Sequence, residues 1–463
     1  LPAYRYFDDK RYFTPGKKVD PIDIKTTEGR IRIGVLICED LWDEGYSLNP
    51  CRLYREKGAE YLFTINASPF VGSRLGRRDG KRFIREKLIR QQVKQYGLPI
   101  IYVNTVGIGD NGKNVIPFDG FSLAYDRRGE RVVSLCAFEE DQKTVCFENG
   151  CADSVPDPEF NREAEIYQAL VMGVQDYYRK VGIFQGVLES VSGGIDSSLG
   201  TAIAHDAMGS ELLSIYNLPS RYNSAKTQKL ARQLAENFKL SYTVIPIQEM
   251  VDQMVQSFER YLHPIKEPTT LENLQARIRG LIMMAESNDR KALLLTNGNE
   301  TEIALGYTTL YGDMAGGLSV IGDLSKPEIY RLSKHVNQKY GRPMIPNEIF
   351  EMPATAELKQ DQVDPFDYTV VGPVVSDFVE RGLSPEDLVK SFEEGNLKGE
   401  EYEQEEKLYE NYSLEKFHEL VAGLFSKVNT SVYKRLQGAP IIVVSERAFG
   451  FDLRETIING WKG

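Results

Sequence analysis

The stretch LESVSGGIDSSLG, residues 188–200, constrains the fold of this 463-residue chain more than any other. A short apolar run ends at paired glycines, and an amphipathic segment opens with Asp196, Ser197 and Ser198. Glycine tolerates backbone dihedrals closed to other residues, so a strand can stop here and a helix start at Asp196 or Ser197. Such a turn aims main-chain N–H groups and a helix N-terminus at one point, which makes an anion site. One helix terminus stabilises a unit charge by only about 0.3–1 kcal/mol, too little to hold a triphosphate. A cation must come from elsewhere, because the loop has no lysine and Asp196 is itself negative. A carboxylate beside phosphates makes sense if Mg²⁺ lies between them.

The text around this loop alternates helix (161–180), strand (186–191), helix (197–208), strand (212–217), helix (224–238) and strand (242–247). Two further helices and a strand (292–296) follow. That alternation predicts a doubly wound parallel sheet. The first 150 residues are also α/β in texture: RIRIGVLI, EYLFTIN, a charged helix over 79–96, and PIIYVN. They close on FDGFSLAYDRRGERVVSL, which reads as a hairpin across Asp-Arg-Arg-Gly. The polar, proline-broken CADSVPDPEF, residues 151–160, marks a boundary between domains at 1–152 and 158–463. A chain of this length exceeds one ordinary core. The acidic stretch 393–406 reads as a solvated helical face.

Composition narrows the partners. With 56 basic and 67 acidic residues, the net charge of −11 argues against a broad nucleic-acid or membrane surface. There is no apolar run of about 18 residues and no leader pattern, which points to the cytoplasm. Five irregularly spaced cysteines suit neither a disulfide scaffold nor a zinc ribbon, and four histidines lack H-E-x-x-H spacing. Any metal would be held by oxygen.

The SVSGGIDSS loop resembles the SGGxDS loop of the ATP pyrophosphatase superfamily, which cuts ATP between its α and β phosphates and adenylates a substrate. The resemblance implies that Ser192, Gly193, Gly194, Asp196, Ser197 and Ser198 grip the leaving pyrophosphate. Further along, ENLQARIRG sets Asn273, Arg277 and Arg279 within two helical turns, with Leu274, Ile278 and Leu281 spaced as a packing face. The arginines are then free for phosphate or carboxylate. TNGNETEIALGYTTLYGD, residues 296–313, resembles the TGNxSE and GYxTxYGD signatures of NAD synthetases. That likeness implies Mg²⁺ on Asp196 and Glu302, and Asp313 in the dinucleotide site. Asn297 stands where the family has a threonine on ATP, and Glu300 where lysine is common. Lys326, in GDLSKPEIY, matches the family lysine that reaches the nucleotide phosphates and so supplies the missing cation. PATAEL resembles PSAEL, with Thr355 in the hydroxyl position of the ATP site. YKRLQ provides Lys434 and Arg435, which the resemblance assigns with Asn273, Arg277, Arg279 and Asp313 to deamido-NAD. SERAFG, residues 445–450, completes the signature.

In RIRIGVLICEDLW, Cys38 follows a β-run where a sharp turn would present its sulfur. C-E-D-L-W resembles the nucleophile segment of the nitrilase superfamily, in the glutaminase domain fused to NAD synthetases. YLFTINASPF, YVNTVG and PFDGFS match its later segments in order. An α-β-β-α sandwich is implied for this half. A free thiol is only a few per cent thiolate at neutral pH, so catalysis needs a base and a cation. LPAYRYFDDKRYF resembles the segment just after the family's catalytic lysine. Both that lysine and the glutamate base would therefore precede Leu1, and a chain starting there would use ammonium but not glutamine.

Together the likenesses imply glutamine-dependent NAD synthesis. ATP adenylates deamido-NAD, pyrophosphate leaves, and ammonia from glutamine on Cys38 displaces AMP. A closed passage for ammonia and a homo-oligomeric assembly are implied as well. The rival readings are an ammonia-dependent synthetase with an inactive glutaminase half, another amide-forming pyrophosphatase, and a nucleotide-binding regulator without turnover.

Overall fold

The computed structural model describes residues 7–27, 29–42, 46–73, 78–360, 362–397 and 405–453. The chain divides into two compact units, one of Leu1–Asn111 with Ile116–Met172 and one of Gly112–Val115 with Gly173–Gly463.

The first unit carries β1 (Ile22–Thr26), β2 (Gly29–Ile37), β3 (Tyr61–Asn66), β4 (Ile100–Asn104), β5 (Val106–Asp110), β6 (Val115–Asp119), β7 (Leu123–Tyr125) and β8 (Arg131–Ser134). Six of them form a mixed sheet in the order β1-β2-β3-β4-β7-β8, and β5 pairs with β6. The runs β2, β3 and β4 are mutually parallel, joined by helices Pro50–Glu56 and Lys81–Tyr96. The hairpin read from the Asp-Arg-Arg-Gly turn is β7 against β8. Leu36, Leu62, Ile100, Tyr102 and Leu123 form the buried sheet face, packed with Ile89 and Val93 of the second helix.

The charged helix is not a solvated one. Arg82, Arg85 and Glu86 are all buried, because each has an ionic partner. Arg85 pairs with Asp119, Arg82 with Glu165, and Glu86 with Arg131. On the opposite sheet face, Ile37, Ile65 and Val103 lie in register across β2, β3 and β4. They are 68%, 59% and 46% exposed.

In the second unit, β9 (Val187–Ser190), β10 (Leu213–Asn217), β11 (Ser241–Val244), β12 (Leu293–Thr296) and β13 (Leu318–Ser319) form one sheet. Its order is β11-β10-β9-β12-β13, and every pair is parallel. The chain leaves β9 toward β10 and β11, then returns to lay β12 on its other side. That reversal opens a crevice at the carboxyl ends of β9 and β12, where doubly wound sheets bind ligands. Helices Ile195–Met208 and Pro268–Arg290 contact the sheet beside it. A separate apolar cluster gathers Val371, Val374, Phe378, Leu388, Phe392, Phe417 and Val421 from the later helices. Leu281, read above as part of a packing face, is 69% exposed, whereas Ile278 is buried. The buried stripe of this helix runs through Ala276, Gly280 and Met283, and Leu281, five residues after Ala276, points away from it. Residues 398–404 of the acidic stretch lie outside the described residues.

Candidate active site

The glycine loop joins β9 to helix Ile195–Met208, with Gly194 as its N-cap. Gly193 needs to be glycine twice over. Its φ is +90°, and a Cβ there would sit 2.2 Å from the carbonyl oxygen of Thr227. Gly194 has φ −90°, an ordinary extended value, so only one of the paired glycines supplies the special dihedral. Ser192 Oγ accepts from Gly194 N–H at 3.2 Å, and Ser198 Oγ donates to the Gly194 carbonyl at 2.7 Å. These bonds hold the loop open around the helix N-terminus.

A cavity of about 290 Å³ lies over this terminus. Of the residues assigned to ATP by resemblance, Ser192, Gly194, Asp196, Ser197, Asn297, Lys326 and Thr355 line it. Gly193 and Ser198 do not, and act on the shape of the loop instead. Asp196 and Glu302 both line it. Lys326 begins helix Lys326–Tyr340 and is only 4% exposed. Its ammonium bonds the Asp196 carboxylate and lies 4.9 Å from the Tyr368 ring centroid. Burial opposes its charge, yet Asp196 and Glu302 raise its pKa above the ordinary lysine value.

Glu302 starts its helix through a capping box. Asn299 Oδ1 accepts from Glu302 N–H at 3.0 Å, and Glu302 Oε2 accepts from Asn299 N–H at 3.2 Å. Asn299 Nδ2 also donates to Asp196 at 3.3 Å, so one residue holds both carboxylates, Glu302 through its main-chain N–H and Asp196 through its side chain. Enclosure, then repulsion from Asp196, pushes Glu302 up to about 8. The resemblance had put Glu302 with Asp196; Asn299, which links them, was not singled out, although the N-x-x-E spacing at 299–302 is a capping-box signal.

The residues assigned to the dinucleotide divide. Arg279 and Asp313 line the cavity; Asn273, Arg277, Lys434 and Arg435 do not. Arg279 donates to the Leu218 carbonyl at 2.9 Å and to Asn223 at 3.0 Å, and burial lowers it to about 10. Asn273 accepts from Thr309 Oγ1 at 2.7 Å, and the exposed Arg277 donates to the Leu310 carbonyl at 3.2 Å. Lys434 donates to the carbonyls of Gly306 and Thr308 at 2.6 and 2.7 Å. Arg435 is buried against the carbonyls of Ile303 and Ala304, where it caps the helix that carries Glu302. Glu300 is buried, accepts from Ser376 Oγ at 2.6 Å and does not line the cavity. Glu357, not singled out by its sequence, accepts from Asn223 and Thr227 at 3.1 and 2.8 Å, and so holds the PATAEL segment at the rim.

A second, smaller space of about 30 Å³ shares Thr296, Gly298, Thr308 and Asp313 with the cavity wall. Thr308 Oγ1 and Ser319 Oγ, also at this space, are buried without a hydrogen-bond partner among the described residues.

In the first unit, Cys38 opens the single turn Cys38–Leu41 at φ +41°, the strained left-handed region for a residue with a Cβ. Its sulfur accepts from the Ala67 N–H. Burial, and after it Glu39, raise the thiol above its ordinary value, and Lys81 opposes them. The four resembling segments converge here. Ala67 touches Cys38, Ser68 N–H donates to Asn104 at 2.9 Å, and Asn104 Nδ2 reaches Asp119 at 3.5 Å.

The family model for NAD synthase matches residues 166–413. The glutamine-dependent NAD(+) synthetase of Thermotoga maritima is 32% identical over 502 residues, covering 100% of this chain and 80% of that protein. The same enzyme of Synechocystis is 33% identical over 481 residues, covering 100% and 76%. Among solved structures, the glutamine-dependent NAD+ synthetase of Acinetobacter baumannii, in complex with ADP, superposes with a TM-score of 0.68 at 30% identity, over 100% of this chain and 78% of that one. The enzyme of Cytophaga hutchinsonii, 20% identical, shares the fold with a TM-score of 0.73 over 99% and 79%. With the phosphate-type loop, the acidic pair and the strand-end cysteine in place, the chain belongs to the family of glutamine-dependent NAD(+) synthetases.

Proposed function

We propose that this chain is a C–N ligase that converts deamido-NAD to NAD. ATP adenylates the nicotinate carboxylate, pyrophosphate leaves, and ammonia released from glutamine at Cys38 displaces AMP. The observation that carries the reading is the cluster of Asp196, Lys326 and Glu302 beside the glycine loop, at the switch point of a parallel sheet.

Each step meets a group suited to it. The N–H groups at the start of helix Ile195–Met208 face the leaving pyrophosphate, and Lys326 adds the full charge that a helix terminus lacks. Arg279 and Asp313 set the dinucleotide in the same cavity. Asp196 and Glu302 suit Mg²⁺: two oxygen donors share one hollow, and their repulsion raises Glu302 in the way a divalent cation would relieve. No group of three or more His, Cys, Asp or Glu among the described residues is placed to hold a metal ion by itself, so phosphate oxygens and water would complete the ligand set. Mg²⁺, when bound, would neutralise phosphate charge as the α-β bond breaks.

Free ammonia is mostly protonated in neutral water and then is no nucleophile. The small space behind Asp313, sized for about one water, is our candidate for the last stage of its passage. Its unpartnered Thr308 and Ser319 hydroxyls can each accept a hydrogen bond from ammonia. Homo-oligomeric assembly fits the apolar side chains exposed on two helices, Met254 and Tyr261 on one, Leu281 and Met284 on the other. No helix among the described residues is long and apolar enough to cross a membrane. The acidic charge and the free cysteines fit a cytoplasmic enzyme.

The test is to mix the protein with ATP, Mg²⁺, deamido-NAD and ammonium and follow AMP and NAD. Equimolar AMP and NAD are expected. Tight ATP binding without AMP would favour the regulator instead.

A further inference from the structure

Glu189 lies in β9, on the strand that leads into the glycine loop, and has no exposed surface. A strand interior is an expensive place for a carboxyl group unless it is paired. Asn297 Nδ2 donates to its Oε1 at 2.7 Å. The neighbouring Thr201, on helix Ile195–Met208, donates its hydroxyl proton to the Ser197 carbonyl at 2.8 Å, and none of the groups acting on Glu189 is charged. Two atoms of this pair are left over. Glu189 Oε2 and Asn297 Oδ1 are both buried without a partner among the described residues. A carboxylate offers nothing to Asn297 Oδ1, since both are acceptors. A neutral carboxyl group offers the one missing donor.

The space around the pair fits a closed contact. A Cβ on Gly200 would stand 2.1 Å from Asn297 Oδ1 and 2.5 Å from Glu189 Oε1. The helix backbone therefore packs directly against Asn297 Oδ1 and Glu189 Oε1, with no room for a side chain at position 200. Asn297 itself belongs to the turn after β12, two residues before the Asn299 capping box that orients Glu302.

We propose that Glu189 and Asn297 form a two-point acid–amide pair, Oε2–H donating to Asn297 Oδ1 as Nδ2–H donates to Oε1, which fastens the glycine loop to the turn carrying Glu302. The two halves of the phosphate site come from strands that share the short β9–β12 ladder, and beyond it the Asn299–Asp196 bond at 3.3 Å also links them. Glu189 is a positioning residue. It does not line the cavity.

Burial raises Glu189 to about 8 in the folded protein, against 4.5 for the free group. The folded state thus binds the proton more tightly than the unfolded state does. Stability linked to this group is full below about pH 4.5 and is lost as the pH rises through about 8. Glutamine at 189 keeps both bonds and cannot titrate.

The proposal rests on the cavity being the nucleotide site, so two readouts are needed. The melting temperature of the wild type and of Glu189→Gln is measured from pH 5 to pH 9. The variant is expected to gain on the wild type steadily with rising pH, and parallel curves would overturn the neutral pair. Ammonium-driven turnover then gives the KM for ATP. Asn297→Ala and Glu189→Leu are expected to raise it at least tenfold, with Glu189→Gln close to wild type. An unchanged KM in Asn297→Ala would overturn the positioning role. Wild-type protein that makes no AMP from ATP at all would instead refute the nucleotide reading, while the melting curves still decide the pair. If Glu189→Leu does not fold, the other two variants carry the test.

Discussion

The turn at Cys38 and the loop at residues 192–198 both follow a parallel β-strand, and they use that position in opposite ways. At Cys38 the backbone is forced into a left-handed turn to present one side chain. At the glycine loop the chain turns through Gly193 into a helix whose N-terminus, with Ser192, Asp196 and Ser197, borders the cavity. The surroundings differ in the same sense. Lys326 reaches the glycine loop from another helix of its own unit. Around Cys38, burial raises the thiol and Lys81 only partly offsets it. A nucleophile requires a base aimed at one atom, whereas an anion site requires only summed dipoles and one charge placed nearby.

The largest expected effect tests whether the synthetase unit alone governs ATP chemistry. Asp196→Ala should lower AMP formation at least about 100-fold with either nitrogen source, since it removes the partner of a buried lysine and one of two candidate metal ligands. Turnover at a tenth of normal or better would refute the metal assignment. Next comes Lys326→Met, which leaves Asp196 and Glu302 facing each other uncompensated. It should raise the KM for ATP by about tenfold or more, a loss of at least 1.4 kcal/mol. A normal KM would show that the loop needs no cation after all.

A middle-sized effect separates the glycines. Gly193→Ala should cost about 2 kcal/mol or more, from positive φ and the clash with Thr227. Gly194→Ala meets only Ser192 Oγ at 3.3 Å and should cost much less. Thermal melts that rank them the other way would contradict the turn. Thiol alkylation followed by mass spectrometry addresses the other side of the comparison. Cys38 should react slowly at neutral pH and speed up only above the ordinary thiol range, because burial disfavours its thiolate. Rapid alkylation at pH 7 would mean that the turn activates sulfur by itself. Smallest of all, Ser224→Ala removes the cap bonded to Thr227 N–H at 3.1 Å and should cost about 1 kcal/mol by thermal melt.

Residues that do one local job were legible. The strand before Cys38, the parallel alternation after residue 186 and the helix start at Lys326 all follow from pattern and turn chemistry over a few residues. The charged helix 81–96 was located, but the burial of Arg82, Arg85 and Glu86 was not legible, since their ion partners lie far away in sequence. Leu281 was misplaced for a related reason: spacing alone does not say where a packing stripe ends.

The chain's own text determined the loop, the acidic and basic residues around it, and the α/β class, because dihedral tolerance, periodicity and charge are properties of neighbours along the chain. Tertiary structure alone decided which of those residues meet. It put Lys326 on Asp196 across 130 positions, turned Arg435 inward to cap the helix of Glu302, and closed Glu189 against Asn297 across 108. The physical reason is burial. Where water is excluded, each charge or polar atom must find a partner in space, and sequence distance has no bearing on which one it finds.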